Sequence, residues 1–242
     1  MDVNKNSYTF IFAAIMVVVV AAALSFAATT LKPFQDNNVE QEKMQNILSS
    51  IGIDVSRPEA AVQYPTYITK QLVINENQLK EGVDAFNVDM AKEVRKPAIE
   101  RDAPLYIAEK DGQTYYIIPL RGTGLWGPIW GYIALEGDLD TIYGAVFDHQ
   151  GETPGLGAEI KEASFGEQFI GKKVLDATGD LYGINILKGG ASNEHEVDGI
   201  SGGTITSVGV EDMIKDCLKS YIPFLKEYSG ATASATAQQV TN

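Results

Sequence analysis

The stretch LYIAEKDGQTYYIIPL, residues 105–120, decides the fold class. Two runs rich in aromatic and β-branched residues flank the pair Asp111-Gly112, a pattern typical of a β-hairpin with a two-residue turn. A hairpin pairs consecutive strands in antiparallel orientation. The stretch therefore predicts a sheet built from strands that are neighbours in the sequence.

Further strand-like runs follow the hairpin. WGYIAL (130–135) and TIYGAVF (141–147) flank a turn at Gly137-Asp138, and LYGINIL (181–187) predicts another strand. Residues 161–170 predict a short helix. Because strands and helices occur in runs, without βαβ alternation, we expect an α+β fold with a mostly antiparallel sheet and flanking helices.

The C-terminal part predicts an amphipathic helix from residue 208 onward. Apolar residues recur there at helical spacing, and Pro223 is expected to end or kink the helix. Cys217, the only cysteine, lies on the apolar stripe, which indicates a buried thiol rather than a reactive one. Residues 229–242 are small and polar and predict a disordered tail. The apolar positions are Val210, Met213, Ile214, Cys217, Leu218, Tyr221 and Ile222.

An uncharged apolar stretch lies near the N-terminus. YTFIFAAIMVVVVAAALSFAA, residues 8–28, is long enough to cross about 30 Å of hydrocarbon as a helix, so we predict a transmembrane helix over residues 8–30. A cleaved signal peptide is the alternative, although its apolar region is usually shorter. The net charge of −13 arises after this stretch, which favours residues 1–7 as a cytoplasmic head and a large domain on the outer, periplasmic face.

Residues 31–100 carry no recognisable motif. They predict a helical connector and the N-terminal part of the extracytoplasmic domain. Within them, residues 37–50 predict a short helix, residues 53–65 a proline-containing connector, and residues 76–96 a helix interrupted near Gly82.

The composition excludes several classes of function. With 19 Lys and Arg against 32 Asp and Glu, the chain would repel a nucleic-acid backbone. One cysteine and two histidines argue against an intramolecular disulfide framework and against a metal site. Any redox chemistry therefore needs a bound cofactor.

GTGLWG, residues 122–127, matches the G-x-G-x-x-G spacing of dinucleotide-binding loops. Such a loop must open a helix, whereas Pro128 and strand-like residues follow here, so we exclude that interpretation. The glycines instead indicate a tight turn. Trp126 and Trp130 are candidates for the wall of a cofactor site, and ordinary core packing is their alternative.

HQGETPGLG, residues 149–157, forms a loop rich in glycine directly after a predicted strand. Its glycines permit close approach of a flat ligand, with Glu152 and Thr153 as polar contacts. An ordinary connecting loop is the alternative, and His149 is then a loop histidine.

DGISGGTITS, residues 198–207, places four hydroxyl groups immediately before the amphipathic helix. Backbone N–H groups at a helix N-terminus attract anions, so this stretch is a candidate phosphate site. A simple turn with Ser207 as the helix N-cap is the alternative.

This last stretch resembles the D-x-x-S-G-A-T acceptor sequence of the FMN-binding domain family. GTGLWGPIWGYIAL (122–135) and HQGETPGLGAEI (149–160) are similar to further blocks of that family. The resemblance implies an FMN-binding domain over residues 101–228, with FMN joined covalently to Thr204 through a phosphoester. The implied FMN-binding residues are Thr204, Asp198, Ser201, Gly202, Gly203, Glu152, Thr153, Gly155, Leu156, Gly157 and Trp126.

One departure affects the choice of the acceptor. Gly203 stands where the family has alanine, while a literal Ser-Gly-Ala-Thr sequence ends at Thr232 in the tail. Lys226 occupies the aspartate position of that second copy, and no helix follows it. We therefore predict attachment at Thr204.

Together with the apolar N-terminal stretch, these blocks resemble the C subunits of sodium-translocating NADH:quinone oxidoreductases. The resemblance implies an electron carrier in a bacterial inner-membrane complex that oxidises NADH, reduces ubiquinone and exports sodium. The implied partners are the other subunits, a flavin transferase and membrane lipid, with the NADH and sodium sites on those subunits. Two alternatives stay open, which are the G subunit of the related Rnf-type complex and an anchored binding domain without a cofactor.

Overall fold

The computed structural model describes residues 6–228 of the 242-residue chain. The chain divides into two compact units, Met1–Lys43 and Met44–Asn242. Most of the predicted head, and all of the predicted tail including Thr232, lie outside the described residues.

The first helix, α1, spans Asn6–Ser49 and contains the predicted transmembrane stretch. It is the one helix within residues 6–228 that is long and apolar enough to cross a membrane, with a mean hydropathy of 2.8 in its most apolar window. The helix predicted over residues 37–50 is present, but it is the end of α1 rather than a short element of its own. Ile47 and Leu48 near its end are buried in the core of the second unit.

The second unit is built on a six-stranded antiparallel sheet with the strand order β2-β1-β3-β4-β5-β6. This arrangement and its flanking helices confirm the predicted fold class. Helix α2 (Arg57–Tyr67) precedes the sheet, and helix α5 (Thr204–Leu218) follows it. The strands are β1 (Ile68–Asn75), β2 (Gln78–Leu79), β3 (Ala103–Lys110), β4 (Gln113–Thr123), β5 (Pro128–Leu135) and β6 (Ile142–His149).

The central hairpin is confirmed. Strands β3 and β4 pair in antiparallel orientation with Lys110 opposite Gln113. Asp111 and Gly112 both have positive φ, of 53° and 76°, as a tight two-residue hairpin turn requires. The predicted strands over residues 130–135 and 141–147 are also present, as β5 and β6.

The segment after β6 differs in detail from its prediction. Residues 157–169 form two short 3₁₀ turns around helix α4 (Ala163–Gly166), where one short helix was expected. Strand β7 (Asn185–Leu187) is shorter than predicted. It pairs in parallel with β8 (Glu196–Asp198), a strand that the sequence did not indicate.

The N-terminal part of the second unit contradicts two predictions. The predicted connector over residues 53–65 mostly forms α2, which Ser56 and Glu59 begin with a capping box. The predicted helix over residues 76–96 is instead the short strand β2, a 3₁₀ turn and the four-residue helix α3 (Met90–Glu93).

Both faces of the sheet are covered, so its strands contribute to two hydrophobic cores. In β4, Ile118 and Leu120 face the core beneath α5, whereas Ile117 faces the core beneath α2 and the end of α1. This alternation follows from the two-residue period of a strand. Cys217 lies in the α5 core and is only 2% exposed, which confirms its prediction as a buried residue.

Candidate functional site

Three segments that are distant in the sequence line one open cavity of about 220 Å³. They are the loop between β4 and β5 (residues 124–127, hereafter the Trp126 loop), the loop after β6, and the start of α5. The lining residues are Leu125, Trp126, Glu152, Thr153, Leu156, Gly157, Gly202, Gly203, Thr204, Ile205 and Thr206. The structure therefore brings most of the predicted site residues together.

Thr204 is the first residue of α5 and is exposed at the cavity. The N-cap is Gly203, which has no side chain to cap the first turn of the helix. In the first turn of a helix the backbone N–H groups have no intrahelical partner and carry a partial positive charge. Residues 204–206 thus present N–H donors where an anion linked to Thr204 would lie.

The turn before α5 (residues 199–203, hereafter the acceptor turn) is held by its own hydrogen bonds. The Gly203 N–H donates to the Ile200 carbonyl at 2.9 Å, and the Ile200 N–H donates to Ser207 Oγ at 3.0 Å. Ser207 therefore lies inside α5, and its interpretation as the N-cap is wrong. Gly202 has a φ of +74°, a conformation that glycine adopts without strain.

Asp198 anchors the acceptor turn and does not line the cavity. Its Oδ1 accepts a hydrogen bond from the Ala191 N–H at 2.8 Å. Its backbone N–H and carbonyl both bond to the side-chain amide of Gln168. Ser201 and Gly155 also lie outside the cavity lining, so three predicted site residues are not brought to it.

Glu152 is turned inward. It is only 5% exposed, and its two carboxylate oxygens accept from two different segments. Oε1 accepts from the Trp126 N–H at 2.8 Å, and Oε2 accepts from the Thr206 hydroxyl at 2.6 Å. The carboxylate therefore bonds to the protein itself.

His149, which the sequence suggested to be a loop histidine, lies at the end of β6 and supports the loop that follows. Its Nδ1 accepts from the Glu152 N–H at 3.1 Å, which requires this nitrogen to carry no proton. The adjacent Asp148 is buried and pairs with Lys161 Nζ at 2.9 Å. The His149 bond thus holds the backbone of Glu152 at the cavity.

Exposed apolar side chains surround the cavity. Trp126 is 68% exposed and Leu156 is 42% exposed, although both are large and apolar. Leu125 and Ile205 add further exposed apolar surface at the same cavity. Trp130 instead lies beneath the Arg121 guanidinium at 5.2 Å, outside the cavity lining, so only the first tryptophan is a candidate for the cofactor wall.

Three lining residues were absent from the predicted site. Thr206 belongs to the hydroxyl-rich stretch, but its bond to Glu152 joins residues 54 positions apart, which the sequence does not reveal. Leu125 and Ile205 have no sequence signal, because an isolated apolar residue ordinarily predicts core packing.

The residues present fit a ligand that combines an anionic group with a flat apolar body. The N-terminus of α5 supplies N–H donors for the anion, and the exposed apolar side chains supply a surface for the ring. FMN has this combination of phosphate and ring system. Within residues 6–228 no group of three or more His, Cys, Asp or Glu side chains could hold a metal ion.

Comparison with known proteins agrees with this geometry. Residues 124–219 match the FMN-binding domain family, and they include all three segments of the cavity. The crystal structure of the C subunit of the Na(+)-translocating NADH-quinone reductase from Parabacteroides distasonis is similar, with 45% sequence identity and a TM-score of 0.74. The match covers 81% of this chain and 96% of that chain.

Two relatives extend the similarity through most of the chain. The C subunit of the Na(+)-translocating NADH-quinone reductase of Pseudomonas aeruginosa is 32% identical over 87% of this chain and 90% of its own length. The corresponding protein of Pasteurella multocida is 34% identical over 92% of this chain and 95% of its own length. The chain therefore belongs to the family of C subunits of the Na(+)-translocating NADH-quinone reductases.

Proposed function

We propose that this protein is an electron-carrier subunit with FMN joined through a phosphoester to Thr204, in a complex that oxidises NADH, reduces ubiquinone and exports sodium. The observation that carries the proposal is the position of Thr204. This threonine is exposed at the first position of α5, beside the cavity and next to backbone N–H groups that lack intrahelical partners.

The residues of the cavity would divide the binding of FMN between them. The N-terminal N–H groups of α5 would receive the phosphate, and the small residues Gly202 and Gly203 would allow it close to the backbone. Trp126 and Leu156 would contact the ring, with Thr153 at its edge. Bound FMN supplies reversible electron transfer, which no side chain of the cavity provides.

Attachment would use the Thr204 hydroxyl as the nucleophile. The donor would be a flavin phosphate activated as a phosphoanhydride: Thr204 Oγ1 bonds to the flavin phosphorus, the P–O bond of the anhydride breaks, the second phosphate leaves with the electron pair, and a base accepts the hydroxyl proton. A flavin transferase is the expected catalyst. The base that accepts the Thr204 proton would belong to the transferase rather than be Asp198, because Asp198 Oδ1 accepts from the Ala191 N–H and lies outside the cavity lining.

The partners follow from family membership and from α1. We propose residues 8–30 as the single transmembrane span, lipid as its surroundings, and the other reductase subunits as partners on the bacterial inner membrane. The acidic domain that follows would lie on the periplasmic face. Residues 31–100 would form a connector and the N-terminal part of that domain, residues 101–228 would form its FMN-binding part, and NADH and sodium would be handled by other subunits.

Peptide mass spectrometry tests the attachment. The full chain is co-expressed with its flavin transferase, and a peptide containing residues 198–207 should carry the added mass of FMN. Thr204→Val should abolish the addition, whereas the matched variant Thr232→Val in the tail should retain it. FMN on the tail peptide, or on neither peptide, would contradict the proposal.

A second measurement tests the carrier role. The isolated flavin-loaded protein is mixed with NADH, and its flavin absorption is followed. We expect no rapid bleaching by NADH, while dithionite reduces the flavin fully. Rapid reduction by NADH alone would show that this protein has its own NADH site.

A further inference from the structure

The carboxylate of Glu152 is buried and bonded to the protein, which a role in contacting a ligand does not explain. It is one of the few buried acidic groups in the described part of the chain, and it lies at the cavity. Both oxygens are used, one by the Trp126 N–H and one by the Thr206 hydroxyl. Each donor belongs to a different wall of the cavity.

Two glycines leave the space that this carboxylate occupies. A β-carbon on Gly124 would lie 2.6 Å from Glu152 Oε1, and one on Gly157 would lie 2.5 Å from Oε2. Real β-carbons do not approach other atoms so closely. The carboxylate can therefore lie at this point because Gly124 and Gly157 carry no side chains.

We infer that Glu152 is a positioning residue, whose carboxylate ties the Trp126 loop to the first turn of α5 and so holds the two cavity walls beside Thr204. Thr206 lies two residues after Thr204 in that first turn, and Trp126 lies in the opposite wall. The bracing itself is a property of the protein alone. Its consequence for flavin attachment rests on the proposed function.

Removing the carboxylate would leave two donors without their partner. The Trp126 N–H would lose its acceptor, and the first turn of α5 would lose the hydrogen bond that Thr206 makes to the loop after β6. Glutamine offers a conservative replacement, because its oxygen can accept from the Trp126 N–H while its amide donates to the Thr206 oxygen. Glu152→Gln therefore removes the charge and keeps both links, whereas Glu152→Ala removes both links.

Hydrogen–deuterium exchange on the full chain, made without a flavin transferase, tests the bracing directly. Glu152→Ala should speed exchange in residues 124–127 and at the hydrogen-bonded amides of residues 207 and 208, and Glu152→Gln should resemble the wild type. Thr206→Val should speed exchange in α5 with less effect on the Trp126 loop. Glu162→Gln, an exposed residue that loses the same charge, is the control and should change neither segment.

The same variants, co-expressed with the flavin transferase, test the consequence for the site. Glu152→Ala should slow addition of FMN to the peptide of residues 198–207 about tenfold, which corresponds to about 1.4 kcal/mol. Glu152→Gln should restore addition to near the wild-type rate. Normal addition in Glu152→Ala would contradict the consequence of the bracing for the site.

The two proposals fail in different ways. Unchanged exchange in Glu152→Ala would overturn the bracing, as would exchange in Glu152→Gln that matches Glu152→Ala. Absence of FMN on residues 198–207 of the wild-type chain would overturn the proposed function, and the exchange data would still decide whether Glu152 braces the cavity. If Glu152→Ala does not fold, the exchange of Thr206→Val and Glu152→Gln decides the matter.

Discussion

Leu156 Cδ2 lies 2.6 Å from the point that a β-carbon on Gly202 would occupy. Leu156 belongs to the loop after β6, and Gly202 belongs to the acceptor turn. This contact joins two segments that the sequence marks separately as candidate site residues. Together with its φ of +74°, it explains why glycine is favoured immediately before Gly203 and Thr204.

Gly202→Ala should disrupt the acceptor turn. An alanine would have to adopt a φ of +74°, and its β-carbon would displace the exposed end of Leu156, so we expect a loss of about 1 kcal/mol in unfolding free energy, mostly from the backbone. Addition of FMN to Thr204 should fall as well. Thermal unfolding and peptide mass spectrometry measure the two effects.

Gly151→Ala is the matched control for that substitution. Gly151 lies in an exposed loop, its φ is not positive, and a β-carbon there would meet nothing within 4 Å. It should leave both stability and FMN addition near wild type. Equal effects of the two alanine variants would contradict the role given to the Gly202–Leu156 contact.

Trp126 should become protected when FMN is attached, because it is 68% exposed and lines the cavity. In a Trp130→Phe chain the remaining tryptophan should react with N-bromosuccinimide before attachment and several-fold more slowly afterwards. In a Trp126→Phe chain, Trp130 should react at the same rate in both states. Absorbance at 280 nm follows the reaction, and protection of Trp130 alone would place the ring elsewhere.

Cys217 should be unreactive in the folded protein. Burial raises the pKa of its thiol to about 11, so almost no thiolate is present at pH 8. We expect no colour with Ellman's reagent until the chain is unfolded in guanidinium chloride, when its single thiol reacts. Rapid reaction of the native protein would show that the packing of α5 on the sheet opens readily.

The turn between β5 and β6 should make stability depend on pH. Burial raises the pKa of Asp138, but hydrogen bonds from the hydroxyl and N–H of Thr141 and from the Asp140 N–H outweigh it and hold the pKa below its ordinary value. A lowered pKa stabilises the fold above the ordinary value and loses that effect as the pH falls through the folded value. The stabilisation is at most about 1 kcal/mol, because solvent screens this exposed carboxylate.

Asp138→Ala should therefore be less stable than the wild type at pH 7, and the difference should shrink below about pH 4. Urea unfolding at several pH values measures it. Thr141→Val, which removes one donor, should show a smaller loss with the same direction of pH dependence. A difference that grows as the pH falls would contradict this assignment.

Local signals predicted the part of the sheet that carries the site. The Asp111-Gly112 turn and the β-branched runs around it are sufficient for the central hairpin, because a two-residue turn fixes strand pairing locally. Helix α5 was found from its apolar spacing, but it begins at Thr204 rather than at residue 208. Thr204 and Ile205 are weak helix formers, and the Thr206 bond to Glu152 adds a tertiary contact that favours the earlier start.

The wrong predictions over residues 53–65 and 76–96 involve residues that favour different structures at different positions of an element. Pro58 indicated a connector, yet proline is favoured in the first turn of a helix, where it lies in α2. Glu76 and Asn77 form the hairpin turn between β1 and β2 with φ values of 50° and 61°, and neither is the glycine that ordinarily marks such a turn. Most of the residues that line the cavity could be predicted from the sequence. Their arrangement could not, because the three segments come together only in the folded chain.

The cavity draws its walls from residues 124–127, 152–157 and 202–206, and the last of these begins the helix that packs across β4. During synthesis, the first two segments emerge long before the third, and contacts of such sequence separation form late. Under the proposed function, a flavin transferase that reads the assembled cavity would find no substrate until the C-terminal helix has docked. Maturation of this protein would then report on completed folding, and a truncated or misfolded copy would enter the complex without its cofactor or not at all.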